Sequence, residues 1–334
     1  MKLLSLLYGP QELGQTFLRY LPAIIKTKKK IGLKKLMNAM RAEYERRRKK
    51  LTMAAHPFIL HVELTNVCNL KCPYCLTGNE TNLQKKGYLD YEGFKKIVDD
   101  LKEYLILVRL DGVGESLLNR DFFRMVEYAS RNNIVTAVST NFNTIAKEDT
   151  EQFIDAGLDY LIVGLDAATE EVYRKVRTGG SLEKVVENTR YLAERKRARK
   201  SKHPLIETQF VTFNENEHEA EQVRQLSIDL GADRHLVKDL RDMAVNVPKN
   251  GKDKRKSCYW LWYVANITWQ GDLKACCLAG LSSDFSFGNI LHNSINDEWN
   301  NRTMQNIRKL FIEKDPAIVR ELDGCICLDC YKLW

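Results

Sequence analysis

The sequence predicts an α/β fold: a parallel sheet with helical crossovers, preceded by a basic helical arm and followed by a smaller cysteine-bearing module. Three observations predict it. Short β-rich runs alternate with amphipathic helical patterns six times between residues 58 and 240. Each chemically suggestive stretch falls just past the C-terminal end of one of these runs, where barrel-type and open α/β folds place their sites. The alternation then stops near residue 241, and a lysine-rich connector (NVPKNGKDKRKS, 246–257) leads into a segment carrying most of the cysteines. The expected division is an arm over 1–55, the βα repeat over 56–245 and the cysteine module over 246–334.

The elements follow in order. FILHVEL (58–64) reads as the first strand. Phe94, Ile97, Val98 and Leu101 recur at helical spacing and make the first crossover helix. LILVRL (105–110) is the second strand and ends in Asp111-Gly112-Val113-Gly114-Glu115. A helix over about 120–131, a strand IVTAVST (134–140) and a helix near 147–156 come next. Strand YLIVGLD (160–166) precedes a helix with Leu182, Val185, Val186 and Leu192 on one face. HPLIETQFV (203–211), a helix near 217–229 and HLVKDL (235–240) complete the sixfold alternation. Residues 261–275 read as a β-hairpin turning at Gln270-Gly271-Asp272, which would fold Cys276 back toward Cys258.

Composition narrows the function classes. With 44% apolar and 29% charged residues in 334, the chain has an ordinary globular composition, and no apolar run reaches a membrane-spanning length. The apolar patch in MKLLSLLYGPQEL is too short for a secretory signal, so a cytoplasmic location is expected, with the nine cysteines as thiols or metal ligands. The net charge of +8 is concentrated. Residues 26–50 hold twelve Lys or Arg against two Glu, and residues 51–334 sum to −3. With the apolar Leu13, Phe17, Leu18, Tyr20 and Leu21 beside it, residues 13–50 are expected to contact an anionic membrane surface at its inner face. The alternative is an arm packed on the slightly acidic body. No nucleic-acid partner is expected.

NVCNLKCPYC (66–75) places Cys68, Cys72 and Cys75 within eight positions. Three thiols are too few for a closed zinc site and an odd number makes a poor disulfide framework. Thiolates also hold iron–sulfur clusters. On a tight loop this spacing brings three sulfurs to three corners of a cubane and leaves the fourth iron open. With Tyr74 just before the last cysteine, the segment resembles the signature of the radical S-adenosylmethionine (radical SAM) family.

Further motifs resemble that family in order. GVGES (112–116) resembles its glycine-glycine-glutamate-proline motif, with Val113 and Ser116 as departures. Asn141 ends an STN segment after the third strand. VGLD (163–166) carries Gly164 where relatives usually have serine, and Arg177 follows at the spacing of an arginine near the cofactor carboxylate. The resemblance implies a partial (β/α)6 TIM-type barrel. It also implies a [4Fe–4S] cluster on Cys68, Cys72 and Cys75, and S-adenosylmethionine held by Tyr74, Gly112, Gly114, Glu115, Asn141, Asp166 and Arg177. The order from Cys258 to CICLDC (325–330) resembles the Twitch module, related to SPASM. It implies a second, auxiliary [4Fe–4S] cluster on Cys258, Cys276, Cys327 and Cys330, with Cys277 and Cys325 as spares or substitutes; the alternative is a structural zinc site.

The reaction implied is reductive cleavage of S-adenosylmethionine and hydrogen abstraction by the 5′-deoxyadenosyl radical. An electron donor such as flavodoxin or ferredoxin is required, and the expected outcome is a two-electron oxidation. No catalytic base is identified. Because the arm has no strand pattern for a leader-binding domain, the expected substrate is a sugar, aminocyclitol or lipid-linked small molecule. A peptide-modifying maturase is the alternative, and a non-enzymatic iron–sulfur or zinc binding module is the reading of another class. The six histidines form no ligand pair, and Trp260, Trp262 and Trp269 are expected to pack the hairpin.

Overall fold

A computed structural model describes residues 20, 29, 31–75, 77–78, 85–239, 258, 260–276, 285–313, 318 and 320–329. Six parallel strands follow one another in chain order: β1 (Ile59–Val62), β2 (Leu107–Arg109), β3 (Val135–Thr140), β4 (Tyr160–Gly164), β5 (Leu205–Thr212) and β6 (Arg234–Asp239). Helices join them. After α1 (Leu33–Arg47) in the arm come α2 (Tyr91–Leu101), α3 (Phe122–Arg131), α4 (Gln152–Asp155), α5 (Glu170–Val176), α6 (Leu182–Ala198) and α7 (Ala220–Asp229). The expected α/β partial barrel is the observed one.

Local chemistry explains the helix starts. Asp90, Thr169 and Ser181 each accept a hydrogen bond from a backbone N–H in the first turn of α2, α5 and α6. In α2 the predicted face, Phe94, Ile97, Val98 and Leu101, is the buried one. Strand residues alternate as a pleat requires. Leu60, Val62 and Leu64 share one face of β1, and His61 and Glu63 share the other.

The sheet does not stop at six strands. Beyond β1 it continues through β7 (Val264–Ile267), parallel to β1 with His61 opposite Asn266, and then the short antiparallel β8 (Leu273–Lys274). The C-terminal segment is thus sewn into the barrel sheet. The expected hairpin is present but shorter than read, because Trp260–Tyr263 forms a helical turn, α8. After β8 come α9 (Ile295–Trp299) and α10 (Arg302–Glu313). Arg308 on α10 is fully buried and donates to the carbonyls of Leu51, Leu261 and Trp299, tying three segments together. Burial pushes this guanidinium down to about 9, against the opposing charge of Glu45.

The described part of the arm packs on the barrel. Lys29 pairs with Asp159, and Tyr20 is buried edge-on to Tyr160 at 5.1 Å. Lys35 donates to the carbonyls of Asn132 (3.4 Å) and Asn133 (2.9 Å) at the C-terminal end of α3, where a cation is favoured. Glu45, buried, accepts from the Ala54 and Ala55 N–H groups at 3.0 Å. Lys29 and Lys35 thus meet the protein's own acceptors, the arrangement of the alternative in which the arm packs on the body. The remaining residues of 13–28 on which the expectation of membrane contact rested lie outside the described residues.

Candidate active site

The cysteine loop leaves β1 at the C-terminal mouth of the barrel. Its turn is closed by the Cys75 N–H donating to the Cys72 carbonyl at 3.1 Å, and the Leu70 N–H points at Cys68 Sγ from 3.5 Å. A Cβ on Gly78 would lie 2.5 Å from the Cys72 nitrogen, so glycine lets the chain fold back on the loop. Burial pushes the Cys68 thiol up to about 11, and Cys72 and Cys75 add to the shift. Burial also raises Cys72, against the opposing charge of Arg177.

The loop after β2 lies directly against the cysteine loop. Glu115 N–H donates to the Val67 carbonyl at 2.8 Å, and a Cβ on Gly114 would meet the Val67 and Thr65 carbonyls at 2.4 and 2.5 Å. Gly112 is pressed on Glu63 in the same way, 2.7 Å from a built Cβ to the Glu63 Cβ. Asn141, past β3, donates to Asn69 Oδ1 at 2.9 Å and reaches Cys68 Sγ at 4.0 Å. Tyr74 is half-exposed and stacks on Phe213 beyond β5, with ring centroids 4.4 Å apart and its hydroxyl 2.5 Å from Glu215.

Two buried carboxylates flank the mouth. The Glu115 carboxylate is enclosed and accepts from Leu117 N–H (3.1 Å), Thr140 Oγ1 (2.9 Å) and Asn141 N–H (2.8 Å). Burial raises its pKa, and these donors oppose the rise. Asp166 is fully buried. Its oxygens take the Val211 N–H at 2.7 Å and Arg177 at 2.5 Å. Both carboxylates are thus engaged by the protein's own donors and brace the mouth, Glu115 at the loop after β2 and Asp166 against Arg177. Arg177 is left between Asp166 and the Cys72 thiol. Burial works against its charge, but these neighbours outweigh burial and raise its pKa. Gly164 makes the room, since a Cβ there would lie 2.7 Å from Arg177 Nη2.

At the hairpin, Cys258, Cys276, Cys325 and Cys327 gather. Cys327 is buried, and its thiol is raised by a hydrogen bond with Cys325, by burial and by the proximity of Cys258 and Cys276. Cys325, read as a spare or substitute, lies beside Cys327 within hydrogen-bonding reach. Cys277 and Cys330 lie outside the described residues. Sequence reasoning also missed a small cavity that reaches Cys276. It is lined by His61, Glu63, Asp111, Asn266, Thr268, Lys274 and Cys276, and its volume of about 20 Å³ suits a single water. His61 is there as a satisfied core histidine, 2.7 Å from Asp111 Oδ1 and 3.2 Å from Asn266 Oδ1.

The profile of the radical SAM superfamily matches residues 62–226, and that of an iron–sulfur cluster-binding domain, SPASM, matches 258–331. The chain belongs to the radical SAM superfamily, with a C-terminal SPASM module. Among curated relatives, a tungsten-containing aldehyde ferredoxin oxidoreductase cofactor-modifying protein of Pyrococcus furiosus is 26% identical over 187 residues, 54% of this chain and 51% of its own. The PqqA peptide cyclase of Bradyrhizobium diazoefficiens is 28% identical over 187 residues, 55% of this chain and 47% of its own. The chain thus spans about half the length of these relatives. SuiB of Streptococcus suis, solved with S-adenosylmethionine, superposes with TM-score 0.65 at 15% identity over 89% of this chain and 76% of that one. The same protein has been solved bound to its precursor peptide SuiA.

The radical SAM and SPASM modules carry [4Fe–4S] clusters, and the residues present fit them. Cys68 lies within electrostatic reach of Cys72 and Cys75, and Cys327 of Cys258, Cys276 and Cys325, although among the described residues no three of these side chains lie close enough to hold a metal ion as they stand. The expectation of a sugar, aminocyclitol or lipid-linked partner is overturned by relatives that act on or bind peptides. Its premise, that a missing leader-binding pattern in the arm excludes a peptide, does not hold when that function resides elsewhere. Among the described residues no helix is long and apolar enough to cross a membrane.

Proposed function

We propose that the chain is a peptide-modifying radical SAM enzyme. The observation that carries this reading is that a chain with radical SAM and SPASM modules shares its fold with SuiB, which was solved with a precursor peptide, while a curated relative is a peptide cyclase. When bound, the cluster and S-adenosylmethionine supply a 5′-deoxyadenosyl radical that abstracts hydrogen from the substrate.

The chain's own residues hold and orient. Cys68, Cys72 and Cys75 hold the first cluster. The Gly112–Gly114 backbone, able to approach closely, takes the ammonium end of the cofactor, and Arg177 takes its carboxylate. Tyr74 with Phe213 offers an aromatic wall to the adenine. Glu115, Asp166 and Asn141 are positioning residues: they fix the β2 loop, Arg177 and the cysteine loop respectively. Cys258, Cys276, Cys327 and Cys330 hold the auxiliary cluster, with Cys325 bonded to Cys327. A two-electron oxidation of the peptide is the reaction this arrangement suits.

Reconstituted, dithionite-reduced protein is incubated with S-adenosylmethionine and the small peptides encoded beside its gene. One 5′-deoxyadenosine per peptide that has become two hydrogens lighter is the expected result. Nucleoside formation with every peptide unchanged in mass and fragmentation would overturn the peptide reading.

A further inference from the structure

Helix α1 is amphipathic the wrong way round. Its inner face buries Lys35, Asn38, Glu43 and Glu45 beside Ala39 and Ala42, each polar group answered by a partner. Its outer face carries Leu33, Met37, Met40 and Tyr44, which are 71%, 59%, 39% and 55% exposed. The spacing of four, three and four residues puts them in one straight seam, the arrangement by which a helix receives a second helix. Single exposed apolar residues are unremarkable, but four in register over three turns make a contiguous strip.

The rim of the seam is predominantly basic, with the exposed Glu103 against Lys34 (3.3 Å) as an acidic neighbour and with Arg41 and Arg47 reaching inward to Glu45 and Glu43. Every exposed residue from Gly32 to Lys50 is glycine, apolar or basic, the basic ones being Lys34, Arg41, Arg47, Arg48, Lys49 and Lys50. The two glutamates of this stretch are turned inward and buried. A second copy of the chain would bring this rim against itself, and like charges across a seam are repulsive. An occupant with carboxylates flanking its apolar positions is favoured twice, by burial and by charge. Methionine, with a flexible and polarizable side chain, suits a surface that must accommodate a segment of variable sequence.

We propose that the α1 seam docks an acidic amphipathic helix belonging to the peptide substrate, away from the residues that are modified. This rests on the peptide reading above and adds the place and chemistry of recognition. The seam lies on the outer face of the arm, separate from the barrel mouth, so docking and chemistry use different parts of the peptide.

The test uses the full reconstituted protein and two fluorescein-labelled 21-residue peptides. Both have leucine at heptad a and d positions; one has glutamate at the remaining positions and the other lysine. Anisotropy should show binding of the glutamate peptide that weakens about tenfold or more between low and high salt, with little binding of the lysine peptide. M37E/M40E should abolish binding, and K34E/R41E should reverse the preference. These positions are exposed, and unchanged circular dichroism and iron content verify folding. Equal binding of both peptides, or of neither, overturns the proposal. So does a wild-type dimer in sedimentation that M37E/M40E makes monomeric, or glutamate-peptide-insensitive binding to anionic phosphatidylglycerol vesicles through the same residues. Because the readout is binding, the seam can fail while peptide modification still occurs, and the two readings are separable.

Discussion

Glu63 shows at the residue scale how position overrides type. It lies just past β1 in the small cavity that reaches Cys276, where, among the described residues, its carboxylate accepts distant N–H groups, Val113 at 3.4 Å and Trp269 at 3.5 Å. The charged neighbours around it are Lys274 on β8 and the His61–Asp111 pair, and Asp111 is already engaged by Arg109. Burial therefore dominates and pushes Glu63 from 4.5 up to about 7. An acid raised in the folded state binds its proton more tightly there than when unfolded, so stability falls as pH rises from about 4.5 to 7 and then levels off. Glu63→Gln removes this dependence. Relative to wild type it should gain up to about 3 kcal/mol between pH 4.5 and 7.5 in denaturant titrations. A constant difference across that range would mean Glu63 is solvated. Gly164 offers a second residue-scale prediction. Gly164→Ser puts atoms where Arg177 Nη2 lies 2.7 Å from a built Cβ. S-adenosylmethionine affinity should fall about tenfold or more through loss of a charged hydrogen bond, with iron content unchanged. Undiminished affinity would show that Arg177 does not need this seat.

At the scale of elements, the β7–β8 hairpin reaches back over the segment that follows the cysteine loop. The Trp269 indole lies on Gly87, so close that a built Cβ meets its ring at 2.3 Å, while the Gly87 carbonyl accepts from Thr65 Oγ1 at 2.7 Å. Gly87→Ala should cost about 1–3 kcal/mol by overpacking. In a Trp269→Ala background the same change should cost almost nothing, a coupling that a double-mutant cycle in denaturant reads directly. Additive effects would place the indole elsewhere. This contact was not legible in the sequence, where Gly87 is an ordinary loop glycine. The βα units were legible, because Phe94, Ile97, Val98 and Leu101, or Leu182, Val185 and Leu192, carry a helical period that packing merely obeys. Trp260–Tyr263 misled because four apolar residues in a row have no period to distinguish a helical turn from a strand. The cysteine spacing named the site, but not the partners of Glu115 and Asp166. Those depend on which N–H groups the ends of β3 and β5 present, a tertiary fact. In the arm the charge count is plain, yet which lysines turn inward is decided by acceptors just past α3 and just before β4.

For the whole molecule, the consequence of the sheet order is that the auxiliary module is no appendage. β1 lies between β2 and β7; its four residues pair with Val264–Ile267, and three of them also pair with β2. The pairing is extended at both ends by Phe58 N–H to the Tyr263 carbonyl (3.1 Å) and Glu63 N–H to the Ile267 carbonyl (2.9 Å). The buried Trp262, Tyr263 and Leu261 join the same apolar core as the barrel strands, and Arg308 locks them to the end of the arm. A chain ending at residue 257 would leave the strand that carries the cysteine loop as a bare edge, with apolar surface uncovered beside it. Such a chain should be insoluble or lack a cooperative transition. Replacing Cys258, Cys276 and Cys327 by alanine in the full chain removes ligands but no strand. That variant should keep its fold and retain about four of about eight irons, the complement of what Cys68, Cys72 and Cys75 replacement should leave. A soluble 1–257 fragment with a sharp unfolding curve would show that β7 is dispensable to β1, and the two cluster sites would then have to be treated as independently folding units.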